Sequence, residues 1–193
     1  MMRVAVLGAG GHAKPVIETL RAMGAEVAGV LDDAPRGTVL GAPQLGTLAD
    51  LARLREDGIG HAAIAIGHNA TRAALGEACT RIGLALPAVI HPAALVSPSA
   101  RIGAGAQVMA RAVIGPEAVL GALVLVNSGA IVEHDCRLDE AAHVGPGAVL
   151  CGFVQVGARA LVGAGAVARP SVSVGADAVV APGAAVAEDV PQG

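Results

Sequence analysis

The segment Val113-Ile-Gly-Pro-Glu-Ala-Val-Leu-Gly-Ala-Leu-Val-Leu-Val-Asn-Ser-Gly-Ala-Ile-Val-Glu-His-Asp-Cys-Arg-Leu138 repeats every six residues, and that period decides the fold. Stepping by six from Ile90 to Val186 visits seventeen positions, and sixteen of them are Val, Ile or Leu; the exception is Ala168. Four residues beyond each stands an Ala, Val or Cys, from Ala94 to Val190. An α-helix has a period of 3.6 and cannot produce this pattern. A sustained six-residue repeat belongs to a parallel β-helix.

Let the aliphatic residue be position one. Positions five and one lie two apart on a strand and therefore point to the same side, inward. Positions three and four form the corner. Pro92, Pro98, Pro116, Pro146, Pro170 and Pro182 occupy position three, while Gly105, Gly129, Gly147, Gly165 and Gly183 occupy position four, residue types suited to turns. With three sides to a coil, the repeat spans roughly five to six coils stacked about 4.8 Å apart.

Composition fits a narrow interior. The 193 residues include 27 Gly, one Phe and no Trp or Tyr, although 54% are hydrophobic; an ordinary core fills volume with aromatics. The net charge of −3 suggests neither a nucleic-acid partner nor a polybasic membrane contact. The longest uncharged stretch, Ile82 to Ala100, holds Pro87, Pro92 and Pro98 and is no membrane span. The chain opens directly into Arg3-Val-Ala-Val-Leu7, without a charged leader, which leads to the expectation of a cytoplasmic protein. Cys79, Cys136 and Cys151 form no CxxC pair, so neither a disulfide framework nor a zinc ribbon is expected.

The sequence divides into a small α/β domain over 1–88 and a β-helix over 89–193. In the first, strands are expected at Val4–Leu7, Val27–Leu31 and His61–Ile66, with helices at His12–Met23, Thr47–Asp57 and Asn69–Ile82. Such alternation implies a small parallel sheet, about half of a dinucleotide-binding domain. Gly8-Ala-Gly-Gly-His-Ala13 satisfies G-x-G-x-x-[GA], with Asp32 and Asp33 at the end of the second strand. A helix N-terminus favours anionic groups, and ligands bind at strand C-terminal ends of such sheets. A nucleotide-linked ligand fits this half-domain better than NAD; a tight turn with a carboxylate pair is the plainer alternative. Asn69 serves either as a helix cap or as a ligand contact.

Within the repeat, Val132-Glu-His-Asp-Cys-Arg137 places His134 and Asp135 at positions three and four, where other hexads carry Pro and Gly. A carboxylate beside an imidazole orients the ring and suits it to general-base work; a solvated corner is the alternative. Gly152, one coil on, leaves space above the ring. His143 stands at position six and faces outward. Val113, Val119, Leu125, Ile131, Val149, Leu161 and Val167 share that position, and so much outward aliphatic surface implies a homo-oligomer, with part of it covered by the N-terminal domain.

Gly8-Ala-Gly-Gly-His-Ala-Lys14, Leu31-Asp-Asp33, Ile66-Gly-His-Asn-Ala-Thr-Arg72, Ile90-His-Pro92 and Asn127-Ser-Gly-Ala-Ile-Val-Glu-His-Asp-Cys136 together resemble the sialic acid O-acetyltransferase type of sugar O-/N-acyltransferases, whose members include enzymes acting on nucleotide-linked 4-amino-4,6-dideoxy sugars of the bacillosamine and perosamine kind. The resemblance implies a left-handed β-helix, a homotrimer with sites between prisms, and acetyl-CoA as co-substrate without metal. It implies His134 as base, Asp135 as its orienting partner and Asn127 at the acceptor group. Gly10, Gly11, His12, Asp32, Asp33 and Gly67 would hold the nucleotide-sugar, and His143, Gly152 and Ala164 would line the acetyl-CoA cleft. The closing Gly-x-Pro-Ala-[Arg/Lys] segment of such relatives does not follow Val190. Rival readings are an O-acetyltransferase on a sialic-acid-type sugar, a γ-carbonic-anhydrase-like enzyme, which needs three zinc-binding histidines, or a non-catalytic scaffold.

Overall fold

The computed structural model describes residues 2–193. Its N-terminal part is a five-stranded sheet in the order β3-β4-β2-β1-β5: β1 (Arg3–Leu7), β2 (Glu26–Leu31), β3 (Thr38–Val39), β4 (Ala42–Gly46) and β5 (His61–Ile64). Three helices accompany it, α1 (Ala13–Ala22), α2 (Arg53–Glu56, entered through a 3-10 turn over Leu48–Ala52) and α3 (Asn69–Arg81). Strands β1, β2, β4 and β5 run parallel. The β3–β4 hairpin is antiparallel and was not expected from the sequence. Its two-residue loop, Leu40-Gly41, has φ of +48° and +76°. A hairpin loop of this hand is usually announced by Asn-Gly, and a leucine hides it.

Gly8 ends β1 at φ +98°, and a Cβ there would stand 2.8 Å from Ile66 Cγ1 and 3.0 Å from the Ala65 carbonyl oxygen. Only glycine lets β1 turn this close to the end of β5. The turn over residues 8–11 therefore lies at the C-terminal end of β1, between β2 and β5, where the chain order reverses and α/β sheets receive ligands.

Residues 89–186 form the expected left-handed parallel β-helix, a three-faced prism built of two-residue strands. The first face stacks Val89–Ile90, Gln107–Val108, Leu125–Val126, His143–Val144, Leu161–Val162 and Val179–Val180. The second stacks Leu95–Val96, Val113–Ile114, Ile131–Val132, Val149–Leu150, Val167–Ala168 and Ala185–Val186. The third stacks Arg101–Ile102, Val119–Leu120, Arg137–Leu138, Gln155–Val156 and Ser173–Val174. Each residue pairs with the one eighteen further on, as Ile114 with Val132 and Val132 with Leu150, so the register never slips. Positions one and five fill the interior as expected, from Ala106 and Val108 to Val186, with Cys136 wholly buried among them.

Position four of every hexad from Gly105 to Gly183 has positive φ, and nine of these residues are not glycine, among them Arg111, Glu117, Asp135, Phe153 and Arg159. The corner geometry is thus imposed by stacking, whichever residue stands there. This corrects the sequence reading that a pair such as His134-Asp135 is exceptional at a corner for its lack of Pro and Gly.

The left-handed corner has a second consequence. From Leu123 to Gly183, each position-four N–H donates to the position-three carbonyl of the preceding coil, as Leu123 to Ala104 and Ala141 to Ala122. Over the same coils the position-four carbonyl meets no backbone donor. Along the edge between the third and first faces, α3 uses these carbonyls: Asn69 Nδ2 donates to Arg159 O (2.7 Å), and Arg72 donates through Nε to Leu123 O (2.9 Å) and through a terminal nitrogen to Ala141 O (2.7 Å). Arg72 is wholly buried and also donates to Asn69 Oδ1, Ile66 O and Gly67 O. Asn69 is therefore a link to the prism, and the cap of α3 is His68, which accepts from Thr71 N–H. The N-terminal domain is locked to the first face, where Leu125 and Val89 join its core. No helix is long and apolar enough to cross a membrane among the described residues.

Candidate active site

The glycine turn opens onto a groove of about 460 Å³ lined by Gly10, Gly11, Lys14, Arg36 and Thr38. Gly10 and Gly11 have nothing within 4 Å of a built Cβ, so the backbone is open to a ligand there. Asp32 secures the turn: its oxygens accept from Ala9 N–H (2.6 Å) and Ala34 N–H (2.9 Å), and Arg36 Nε lies 3.8 Å away. Asp33 accepts from Leu48 N–H at 3.0 Å, at the start of the 3-10 turn. Both carboxylates thus shape the groove. Its positive charge comes from Lys14 and from Arg36, which also pairs with Asp32; the sequence reading gave neither a role, since a lone basic residue after a strand or in a first helical turn carries no local signal.

On the other side of the turn, His12 reaches the prism. Its Nε2 stands 2.8 Å from Gln107 Oε1, and Gln107 Nε2 donates to Ile64 O at 2.6 Å. Burial pushes the His12 pKa down; the Gln107 bond opposes this and the Arg72 charge adds to it. His143 projects from the same face toward the Gly67 loop. Asn127 Nδ2 lies 3.4 Å from His143 Nε2, with Asn127 Oδ1 held by Ser128 N–H at 2.8 Å. Burial first, then the charges of Arg72 and His12, depress His143 to about 4, against a small opposing effect of the Gly67 backbone. His12, Gly67, Asn127 and His143 therefore share one seam. Gln107 completes it and was missed: Gln155 holds the same hexad position on the third face, exposed, so residue type alone could not mark it.

His134 and Asp135 stand elsewhere, on the edge between the second and third faces. His134 Nδ1 is 2.9 Å from Asp135 Oδ2, and about half of each side chain is exposed. The carboxylate can only accept, so Nδ1 carries a proton, and in the neutral ring the lone pair is on Nε2. A Cβ on Gly152 would lie 2.5 Å from His134 Cε1 and 2.7 Å from Nε2. The expected open space at Gly152 is thus taken by the ring itself; the absence of a Cβ there is what leaves room for it. Phe153, which sequence reasoning passed over, meets the imidazole edge-on at 5.3 Å and 88°. Ala164 is exposed on the edge between the first and second faces, two coils from Asn127. Within one chain the second face separates His134 from the seam that holds His12, Asn127 and His143. Among the described residues no group of three or more His, Cys, Asp or Glu is placed to hold a metal.

Residues 3–78 match the PglD N-terminal domain family. The chain is 38% identical over 120 residues to UDP-N-acetylbacillosamine N-acetyltransferase of Bacillus subtilis (strain 168), a match over 57% of this chain and about half, 52%, of that protein's length. It is 45% identical to PerB from Caulobacter crescentus, solved with CoA and GDP-perosamine, with a TM-score of 0.97 over 100% of this chain and 92% of that one. A histidine-to-alanine mutant of the same GDP-perosamine N-acetyltransferase, bound to the same two molecules, superposes equally well. The acetyltransferase domain of PglB from Neisseria gonorrhoeae FA1090, solved with acetyl coenzyme A, is 40% identical with a TM-score of 0.94 over 98% of this chain and 92% of that one.

Proposed function

The chain belongs to the nucleotide-sugar N-acetyltransferases that carry the PglD N-terminal domain, and from that premise we propose that it transfers the acetyl group of acetyl-CoA to the 4-amino group of a nucleotide-linked 4-amino-4,6-dideoxy sugar. The observation that carries the mechanism is the His134–Asp135 pair, with a free Nε2 lone pair on an open prism edge. The acceptor nitrogen attacks the thioester carbonyl and forms the C–N bond. His134 Nε2 takes the proton from that nitrogen, Asp135 stabilises the imidazolium, and the C–S bond breaks. The imidazolium then gives its proton to the departing CoA thiolate, so no acyl-enzyme is needed.

Residues 1–88 hold the nucleotide-sugar in this reading, with Gly10, Gly11, Asp32 and Asp33 forming the groove and His12, Gly67 and Asn127 nearer the sugar. His143 and Ala164 lie toward acetyl-CoA, and Gly152 seats the base. Because His134 and the seam lie on different edges of one prism, a complete site takes them from two protomers. The aliphatic second face supports a homotrimer: Leu95 is 70% and Val167 46% exposed, in line with Val113, Ile131 and Val149.

The test is release of CoA thiol with a panel of UDP- and GDP-linked 4-amino sugars. His134→Ala should lower kcat by about 10²–10⁴-fold while leaving CoA affinity within a few-fold. Unchanged turnover would transfer the role of base to another group. Acceleration only by hydroxyl acceptors would overturn N-acetylation.

A further inference from the structure

Gln107 is 1% exposed, yet it stands at an outward-facing hexad position, because the N-terminal sheet covers it. Both ends of its amide are engaged. Ile64 O is an acceptor only, so the group 2.6 Å from it must be the NH₂ of Gln107, and the amide cannot turn over without facing a carbonyl with its own oxygen. The Gln107 oxygen therefore lies against His12 Nε2 at 2.8 Å, and that nitrogen must carry a proton. We propose that Gln107 is a positioning residue that holds His12 as the neutral, Nε2-protonated tautomer and makes its Nδ1 a fixed acceptor for a hydroxyl or N–H on the sugar end of the substrate.

Three further observations bear on this. First, His12 Nδ1 has no protein partner, while no wholly buried side-chain nitrogen or oxygen lacks one among the described residues; Nδ1 is thus accessible from outside the protein. Second, the charged and titratable groups acting across the seam are the Arg72 guanidinium from α3 and His143 from the first face, and none of them is a carboxylate that would favour an imidazolium. Third, cationic charge for a diphosphate is supplied on the opposite side of the glycine turn, by Lys14 and Arg36. A neutral imidazole acceptor offers nothing to a phosphate oxygen and selects a donor. The substrate thus lies with its diphosphate over Gly10 and Gly11 and its sugar toward the prism. This orientation rests on the nucleotide-sugar reading above; the tautomer does not.

The first measurement needs no substrate and no variant. Long-range ¹H–¹⁵N spectra of histidine-labelled protein, with the His12 signals assigned by their loss in His12→Gln, should show the Nε2–H pattern in the neutral ring at about pH 8, with protonation displaced to lower pH than in the unfolded chain. An Nδ1–H pattern, or protonation with a midpoint near the ordinary value of about 6.5, would overturn the proposal. The second measurement is calorimetric binding of a GDP- or UDP-linked 4-amino sugar and of free GDP or UDP, without acetyl-CoA. In Gln107→Glu, whose carboxylate favours a charged ring, His12 should titrate within pH 5–8. The nucleotide-sugar Kd should rise about tenfold below that midpoint and recover above it, while the Kd of the free nucleotide stays the same. Equal weakening of both ligands, or none of either, would overturn the role. If no amino sugar supports acetyl transfer, the proposed function fails while the spectra still decide the tautomer.

Discussion

Asp135 sits at φ +59°, a conformation that costs an L-residue about 1 kcal/mol relative to glycine. Its carboxylate holds His134 Nδ1 at 2.9 Å. These two facts pull substitution in opposite directions. Asp135→Gly should stabilise the fold by up to about 1 kcal/mol, read from the denaturant midpoint, while kcat falls at least about tenfold as the imidazole loses its orienting partner. Loss of both stability and turnover would mean that the carboxylate serves the fold. The pair itself was legible from position in the repeat, although the reason first offered for it was not sound, since Arg111, Glu117, Phe153 and Arg159 adopt the same corner conformation. The contacts of Gly152 and Phe153 with the ring could not be read, because they depend on χ angles at a corner, about which a repeat period says nothing.

At the scale of elements, the junction between α3 and the prism edge rests on Asn69 and, above all, on Arg72. Arg72 meets five acceptors, four of them backbone carbonyls and none a carboxylate, and burial lowers its pKa only to about 10, so it stays charged at neutral pH. Arg72→Met should leave Leu123 O and Ala141 O without donors and cost about 3 kcal/mol of unfolding free energy in a denaturant titration. Arg72→Lys should recover only part of this, since an ammonium lacks the planar fork. An unchanged midpoint would show that water replaces the guanidinium freely. The neighbouring seam predicts a pH dependence. His143 is depressed to about 4 by burial, and His12 is shifted the same way. The unfolded chain therefore binds more protons below about 6.5. The stability contributed by the neutral His143 should be complete above about pH 6.5 and decline as pH falls to about 4, with no further loss from this group below that. His143→Gln should flatten that segment of a stability–pH curve; an unaltered slope would mean the slope arises elsewhere. Strand and helix order was legible from alternation, but the β3–β4 hairpin was not, because Leu40-Gly41 carries a positive-φ leucine that stacking and pairing enforce.

For the whole molecule, the second face is the feature with consequences. Leu95, Val113, Ile131, Val149, Val167 and Ala185 stack one above another with no charged residue between them. Val149→Glu places a charge in the middle of this stripe, on the strand that follows Ile131 in the stack. If the proposed trimer packs through this face, the sedimenting species should fall to monomer and turnover should be abolished, with circular dichroism unchanged, because the prism interior is untouched. A fully active monomer would show that one chain holds a complete site.

By itself the sequence determined the β-helix, its register and its inward and outward residues, because a six-residue period ties each side chain to one face and one coil. It also marked His134 and the glycine turn, because their neighbours in the chain are their neighbours in space. Only the tertiary structure decided how the halves are joined. Gln107 with His12, and Arg72 with Leu123 and Ala141, are paired across 95, 51 and 69 residues. Such contacts depend on which carbonyls the left-handed corners leave unpaired and where the sheet docks, and no local pattern encodes either.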